Sequence, residues 1–222
     1  MEEVNREACA ALFDLDGVVV DTESQYSRFW TGIGKRYFPD NSEFSDNIKG
    51  CTLERILKDY FGQDKRQSDE VVEELNAWER HMSYNFIAGF ERFIFSLREA
   101  GVRTAIVTSS DHNKMQNLYR SQPQLPTWFD RILTAEDFSE SKPSPDGYLK
   151  AAAALGVPIE RCVVFEDSCN GLISGRRAGM KVVGFSTTLP RAEVVRMSDV
   201  CINDFEEFGL DSFRRLLYKS EL

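Results

Sequence analysis

The chain predicts an α/β fold: a parallel sheet with helices packed on it, interrupted after its first strand by an all-helical insertion. Three observations carry this. The apolar run Ala11-Leu12-Phe13 breaks abruptly into Asp14-Leu15-Asp16-Gly17, the stretch 22–85 shows only helical periodicity, and beyond Gly101 short apolar runs alternate with helical stretches.

Ala10 to Phe13 reads as a buried strand, because a strand covered on both faces is apolar throughout. In an extended chain Asp14 and Asp16 share one side while Leu15 faces the protein. The carboxyl end of such a strand opens into the crevice where open α/β sheets bind ligands. Gly17 lets the chain turn sharply there. Two carboxylates in so small a volume repel, and a divalent cation or a shared proton relieves them. A strand ending in an Asx-type turn is the plainer explanation of the same residues, so other segments must decide.

From Thr22 onward Tyr26, Phe29, Trp30, Ile33 and Tyr37 recur at helical spacing until Pro39-Asp40-Asn41-Ser42 ends the run. Thr52 to Phe61 and Ser68 to Tyr84 also read as helices, the second with Val71, Val72, Leu75 and Trp78 on one face. Phe90, Phe93, Ile94 and Leu97 form a further apolar stripe, closed by Gly101 as a C-cap. Strand signals follow at 104–108, 132–134, 162–166, 182–185 and 200–202, and their alternation with helices implies right-handed crossovers in a parallel sheet. Residues 1–20 and 86–222 are therefore expected to form the core and 21–85 a helical cap over Asp14 and Asp16. The cap should hinge at its two crossings, near Val20 to Thr22 and Asn85 to Gly89, with Gly89 the flexible point.

At 222 residues the chain can bury a substantial core, and 42% hydrophobic with 28% charged residues is ordinary for a soluble globular protein. A net charge of −9 argues against nucleic acid or an anionic membrane as partner. Cys9, Cys51, Cys162, Cys169 and Cys201 are scattered and odd in number, which disfavours a disulfide framework or a zinc site and fits a reducing cytoplasm. Cys169 is expected to be a small buried core residue. His81 and His112 lack a partner at metal-ligand spacing and read as structural or exposed. No leader pattern and no span of membrane length is visible. A soluble, untargeted monomer is expected.

Four strands end in polar residues: Asp14/Asp16, Thr108/Ser109/Ser110, the loop from Thr134 to Lys142, and Glu166/Asp167/Ser168. In a parallel sheet all these ends meet at one edge. They assemble a nucleophile, a second carboxyl group, hydroxyl and amide donors, a lysine and an acidic pair for a metal, which are the parts for phosphoryl transfer through a covalent intermediate. Asp167 or Ser168 could instead cap the following helix, and Lys142 could be a solvated loop lysine before Pro143.

With these motifs in order, Phe13 to Asp21 (FDLDGVVVD), Ile106 to Ser110 (IVTSS), Lys142 to Asp146 (KPSPD) and Val163 to Gly171 (VVFEDSCNG), the chain resembles haloacid dehalogenase superfamily hydrolases, in the helical-cap group that includes β-phosphoglucomutase-like phosphatases and phosphomutases. The resemblance implies a Rossmann-like three-layer α/β/α core with an inserted helical cap. It implies that Asp14 is the nucleophile that becomes an aspartyl phosphate and Asp16 the general acid/base. Ser109, the backbone amide of Ser110 and Lys142 would hold phosphate, with Lys49 and Thr52 contributing from the cap. Asp167, Asp14 and the backbone carbonyl of Asp16 would bind Mg²⁺, for which an all-oxygen set is suited, with Glu166 orienting them from behind. Dehalogenase members resemble the chain at the nucleophile but lack the second carboxyl, so Asp16 points to phosphoryl transfer.

The implied function is a Mg²⁺-dependent phosphatase for a small phosphorylated metabolite of the sugar-phosphate class; the alternative is a β-phosphoglucomutase-type phosphomutase. The sequence departs from the mutase pattern at Leu53, where such mutases place an arginine, and at Tyr26, where they place a cap-helix histidine. Lys49, Arg28, Arg55 and Arg80 remain candidates for a second phosphate. A non-catalytic binding protein is disfavoured by the intact Asp14, Asp16, Lys142 and Asp167.

Overall fold

The computed structural model describes residues 8–62 and 64–218. Its strands are β1 (Ala10–Phe13), β2 (Arg103–Val107), β3 (Arg131–Leu133), β4 (Cys162–Glu166), β5 (Lys181–Phe185) and β6 (Val200–Ile202). They form one parallel sheet in the order β3-β2-β1-β4-β5-β6. The order reverses beside β1: the chain first builds outward through β2 and β3, then returns to add β4 on the other side. That is the switch point at which open sheets form a crevice.

Between β1 and the rest lie four helices, α1 (Glu23–Tyr37), α2 (Phe44–Asn47), α3 (Leu53–Ile56) and α4 (Lys65–Glu79). The helix expected over Thr52 to Phe61 is split, because after α3 the chain widens into a π-type turn over Leu57–Phe61 and is stopped by Gly62. The insertion has its own apolar centre, built on Phe29, Trp30, Ile33, Phe44, Ile56, Phe61, Val71 and Leu75. Trp78 lies on the same stripe yet is 37% exposed, at the rim of a groove between α1 and α4.

The remaining helices are α5 (Phe90–Glu99), α6 (His112–Ser121), α7 (Asp146–Leu155), α8 (Cys169–Arg177), α9 (Arg191–Met197) and α10 (Leu210–Tyr218). Alternation along β1 divides them between two faces. Ala11 and Phe13 point into one cluster with Phe93 of α5, Met115 of α6 and Phe213 of α10. Ala10 and Leu12 point into the other with Tyr148 of α7, Leu172 of α8 and Val194 of α9. Phe13 stacks on Phe165, its register partner in β4, with ring centroids 4.6 Å apart. The two strands that carry the acidic residues are thus locked together one residue before them.

The two crossings into the insertion run side by side: the Asp21 amide donates to the Asn85 carbonyl at 2.8 Å and the Ile87 amide to the Val19 carbonyl at 3.0 Å. Glycine at position 89 is required by a close backbone approach. A Cβ there would lie 2.8 Å from the backbone of Phe205 and Glu206, at a φ of +76°. Among the described residues no helix is long and apolar enough to cross a membrane.

Candidate active site

The strand ends converge as the parallel order requires. Asp14, one residue past β1, anchors its amide on the Phe165 carbonyl at 2.9 Å, and its side chain is buried. Lys142 reaches it from the loop before α7, with Nζ 2.5 Å from Asp14 Oδ1, 2.7 Å from Glu166 Oε1 and 3.1 Å from the Val107 carbonyl. Lys142 is 3% exposed, so it is no solvated loop residue. Burial opposes its charge, yet Asp14 and Glu166 together hold the ammonium above the usual lysine range.

Asp14, Glu166 and Asp167 bring carboxylate oxygens within 4.8 Å of one another. The three are not equivalent. Glu166 accepts from Lys142, from the Tyr148 hydroxyl at 2.8 Å, from the Asp167 and Ser168 amides and from the Ser168 hydroxyl. Its oxygens are occupied, which suits an orienting role. Among the described residues Asp167 accepts only from the Thr188 and Thr187 hydroxyls. Burial first, then the charges of Glu23, Glu166 and Asp14, push its carboxyl well above the ordinary range. Burial likewise raises Asp14, more than Lys142 lowers it.

Three buried carboxylates against one buried ammonium leave an anionic pocket of oxygen donors, and a hard divalent cation fits that charge and chemistry. The N-cap of α8 is Ser168, whose Oγ accepts from the Gly171 amide at 3.1 Å, and this leaves Asp167 free of capping. Gly17 makes room for it: a Cβ there would lie 2.0 Å from Asp167 Oδ2, and its φ is +72°.

Asp16 is served differently. Thr22 Oγ1 donates to its Oδ1, while Ser110 Oγ (3.2 Å) and Lys114 Nζ donate to its Oδ2. It lines a cavity between the sheet edge and the insertion. The wall opposite the sheet comes from the insertion, including Tyr26, Trp30, Ile48, Leu53 and Leu75.

Ser109 and Lys49 line the same cavity. The Ser109 hydroxyl donates to the Gly50 carbonyl at 2.9 Å, and the Ser110 amide donates to the Thr108 hydroxyl at 3.1 Å. Thr52 is not among the lining residues; its Oγ1 caps α3 and its amide donates to Ser141 Oγ at 3.1 Å. Arg55 turns away to the Lys142 carbonyl at 2.7 Å, Arg28 lies on the outer groove, and Arg80 does not line the cavity. Cys169, the first residue of α8, is exposed, contrary to expectation. His81 and His112 are exposed.

Three site residues escape sequence reasoning: Lys114, Glu79 and Glu23. Burial raises both carboxyls, Glu23 to about 7. The spacing of Lys114 with Leu118, four residues on along α6, was the available signal that it faces inward.

A family model described as haloacid dehalogenase-like hydrolase matches residues 11–185. The chain is 28% identical over 202 residues to validoxylamine A 7′-phosphate phosphatase of Streptomyces hygroscopicus subsp. limoneus, covering 89% of this chain and 94% of that protein. It is 26% identical over 239 residues to a β-phosphoglucomutase of Mycobacterium bovis, covering 89% and 90%. A crystal structure of a CbbY variant from Rhodobacter sphaeroides in complex with xylulose-(1,5)bisphosphate superposes with a TM-score of 0.76 at 25% identity, covering 93% of this chain and 99% of that one.

Proposed function

Because the chain belongs to the haloacid dehalogenase-like hydrolases, we propose that it is a Mg²⁺-dependent phosphatase acting on a small phosphorylated metabolite of the sugar-phosphate class. The observation that carries this reading is a pair of carboxylates, two residues apart, with opposite surroundings. Asp14 lies in a buried anionic cluster against Lys142, and Asp16 is held by hydroxyls and a lysine at the cavity.

An Asp14 oxygen gives an electron pair to phosphorus. The ester P–O bond breaks, and its pair goes to the alcohol oxygen, which takes a proton from Asp16. Asp16 then removes a proton from water, whose oxygen displaces Asp14 and releases inorganic phosphate. Lys142 keeps Asp14 turned toward phosphorus and pairs with the phosphate. Ser109 and the Ser110 amide exchange their present acceptors, the Gly50 carbonyl and the Thr108 hydroxyl, for phosphate oxygens. Asp14, Asp167 and the Asp16 carbonyl would hold Mg²⁺, which would supply positive charge to the phosphate oxygens. Residues 21–85 act as a cap that opens to admit substrate and excludes water when seated.

The side of the cavity that would receive the alcohol supports a monophosphate. Among the described residues its lining cations are Lys49 and Lys114, with no arginine, and both are already paired, with Asp46 and Asp16, which leaves little positive charge for a second phosphate. The likeness to a β-phosphoglucomutase favours a second reading, a phosphomutase primed by a sugar bisphosphate. Incubation with Mg²⁺ and sugar phosphates, nucleotides, pyrophosphate or β-glucose 1-phosphate, recording both free phosphate and glucose 6-phosphate, separates the two. Phosphate without the isomer supports the phosphatase; isomer that requires a bisphosphate primer overturns it.

A further inference from the structure

A lysine that the double displacement above does not use stands beside its acid/base. Lys114 lies in the first turn of α6, its amide capped by Asp111 Oδ1 at 2.9 Å. It shares the inward face of that helix with Met115 and Leu118, and its side chain is 6% exposed. Lysine is seldom buried without a partner. Here Nζ donates to Asp16 Oδ2 and lies 4.3 Å from the centroid of the Tyr26 ring, whose hydroxyl in turn donates to Glu79 Oε1 at 2.7 Å.

These partners come from both sides of the cavity. Asp16 and Lys114 belong to the core, while Tyr26 lies on α1 and Glu79 ends α4 of the insertion. α4 packs directly against α6. The ring and the second carboxylate therefore enclose the ammonium only when the insertion is seated, and a charge shielded from water acts more strongly on its neighbours.

Taking Asp16 as the acid/base of the proposed phosphatase, we propose that Lys114 is a positioning residue for that reaction. Seated against Tyr26 and Glu79, its ammonium fixes the Asp16 carboxyl group, whose other oxygen carries the proton for the alcohol, and places positive charge beside the oxygen that leaves phosphorus. The alcohol oxygen gains negative charge as the P–O bond breaks, and a fixed cation next to it favours the transition state over the ground state. Lys114 keeps its own protons throughout; the proton on the released alcohol comes from Asp16.

Phenyl phosphate and p-nitrophenyl phosphate distinguish this role from a structural one, because they differ mainly in how much charge the leaving oxygen must carry. kcat/KM, which reports all steps through transfer to Asp14, is measured with Mg²⁺ for the wild type, Lys114→Met and Lys114→Arg, alongside melting temperatures. Lys114→Met should lose about a hundredfold on phenyl phosphate and about tenfold less on p-nitrophenyl phosphate, scaled to the loss of one oxyanion donor. Lys114→Arg should recover part of the selective loss, since it restores charge but not the compact point donor. Equal losses on both esters, or none, overturn the inference. If Lys114→Met does not fold, the same ratio in Lys114→Arg and Lys114→Gln decides. A wild type without Mg²⁺-dependent activity on either ester would instead refute the phosphatase reading on which this rests.

Discussion

Lys142→Met tests the electrostatic logic of the site, because one ammonium serves two buried carboxylates. Nζ lies 2.5 Å from Asp14 and 2.7 Å from Glu166, which are 8% and 0% exposed. Methionine fills similar volume but removes the charge that neutralises both carboxylates, takes the ammonium donor from Asp14 and the Val107 carbonyl, and leaves Glu166 only its neutral donors. Removing one partner of a buried pair costs about 3–5 kcal/mol. At about 2–4 °C per kcal/mol for a chain of this size, the melting temperature should fall on the order of 10 °C. The sign with pH is fixed. Burial already raises Asp14, and loss of Lys142 removes the main effect lowering it. A carboxyl raised in the folded state contributes stability below its unfolded value, near pH 4, and loses that contribution as pH rises through the folded value. Urea denaturation of the chelated proteins should therefore show a larger deficit for the variant at about pH 8 than at about pH 5. An equal deficit at both, or none, would refute the account of Lys142 as the neutralising charge.

Two further outcomes follow from the same geometry. Gly17→Ala should destabilise the protein by about 1–3 kcal/mol through its positive φ. Because a Cβ there meets Asp167, it should also weaken Mg²⁺ binding in calorimetry, and unchanged affinity would show that Asp167 is not a ligand. Asp14, Glu23 and Asp167 are all raised, so the melting temperature of metal-free protein should fall from about pH 4 through about 7, with Glu23 reaching about 7. Mg²⁺ at about a hundred times its Kd should restore about 2.7 kcal/mol at the upper end; a Mg²⁺-insensitive melting temperature there contradicts the cation site.

The carboxyl-end convergence was legible because it depends only on strand direction: once β1, β2 and β4 are parallel, Asp14, Ser109 and Glu166 must meet at one edge. Strand edges differ from expectation by a residue at β2, β3 and β5, where ladder pairing extends to Arg103, Arg131 and Lys181. Helix periodicity marked which residues form the centre of the insertion, but not the π-type turn after α3, which is set by local hydrogen bonding. What stayed hidden lies at the seam. Thr52 became a helix cap and a strap to Ser141, and Arg55 found the Lys142 carbonyl, both contacts across about ninety residues of sequence that no local pattern encodes. Lys114 was hidden because a polar first-turn residue ordinarily faces water, and only the seating of α4 on α6 encloses it.

The most direct test is to trap the covalent intermediate. Asp16→Asn removes the base that activates water, so p-nitrophenyl phosphate labelled in its phosphoryl group, whose leaving group needs no proton from Asp16, should leave the label on protein when the reaction is quenched within one turnover. Peptide mapping should place that label on Asp14, in hydroxylamine-sensitive form, only with Mg²⁺ and not in an Asp14→Asn protein. Label on another residue, or full turnover by Asp14→Asn, would contradict the assignment of Asp14 as the nucleophile.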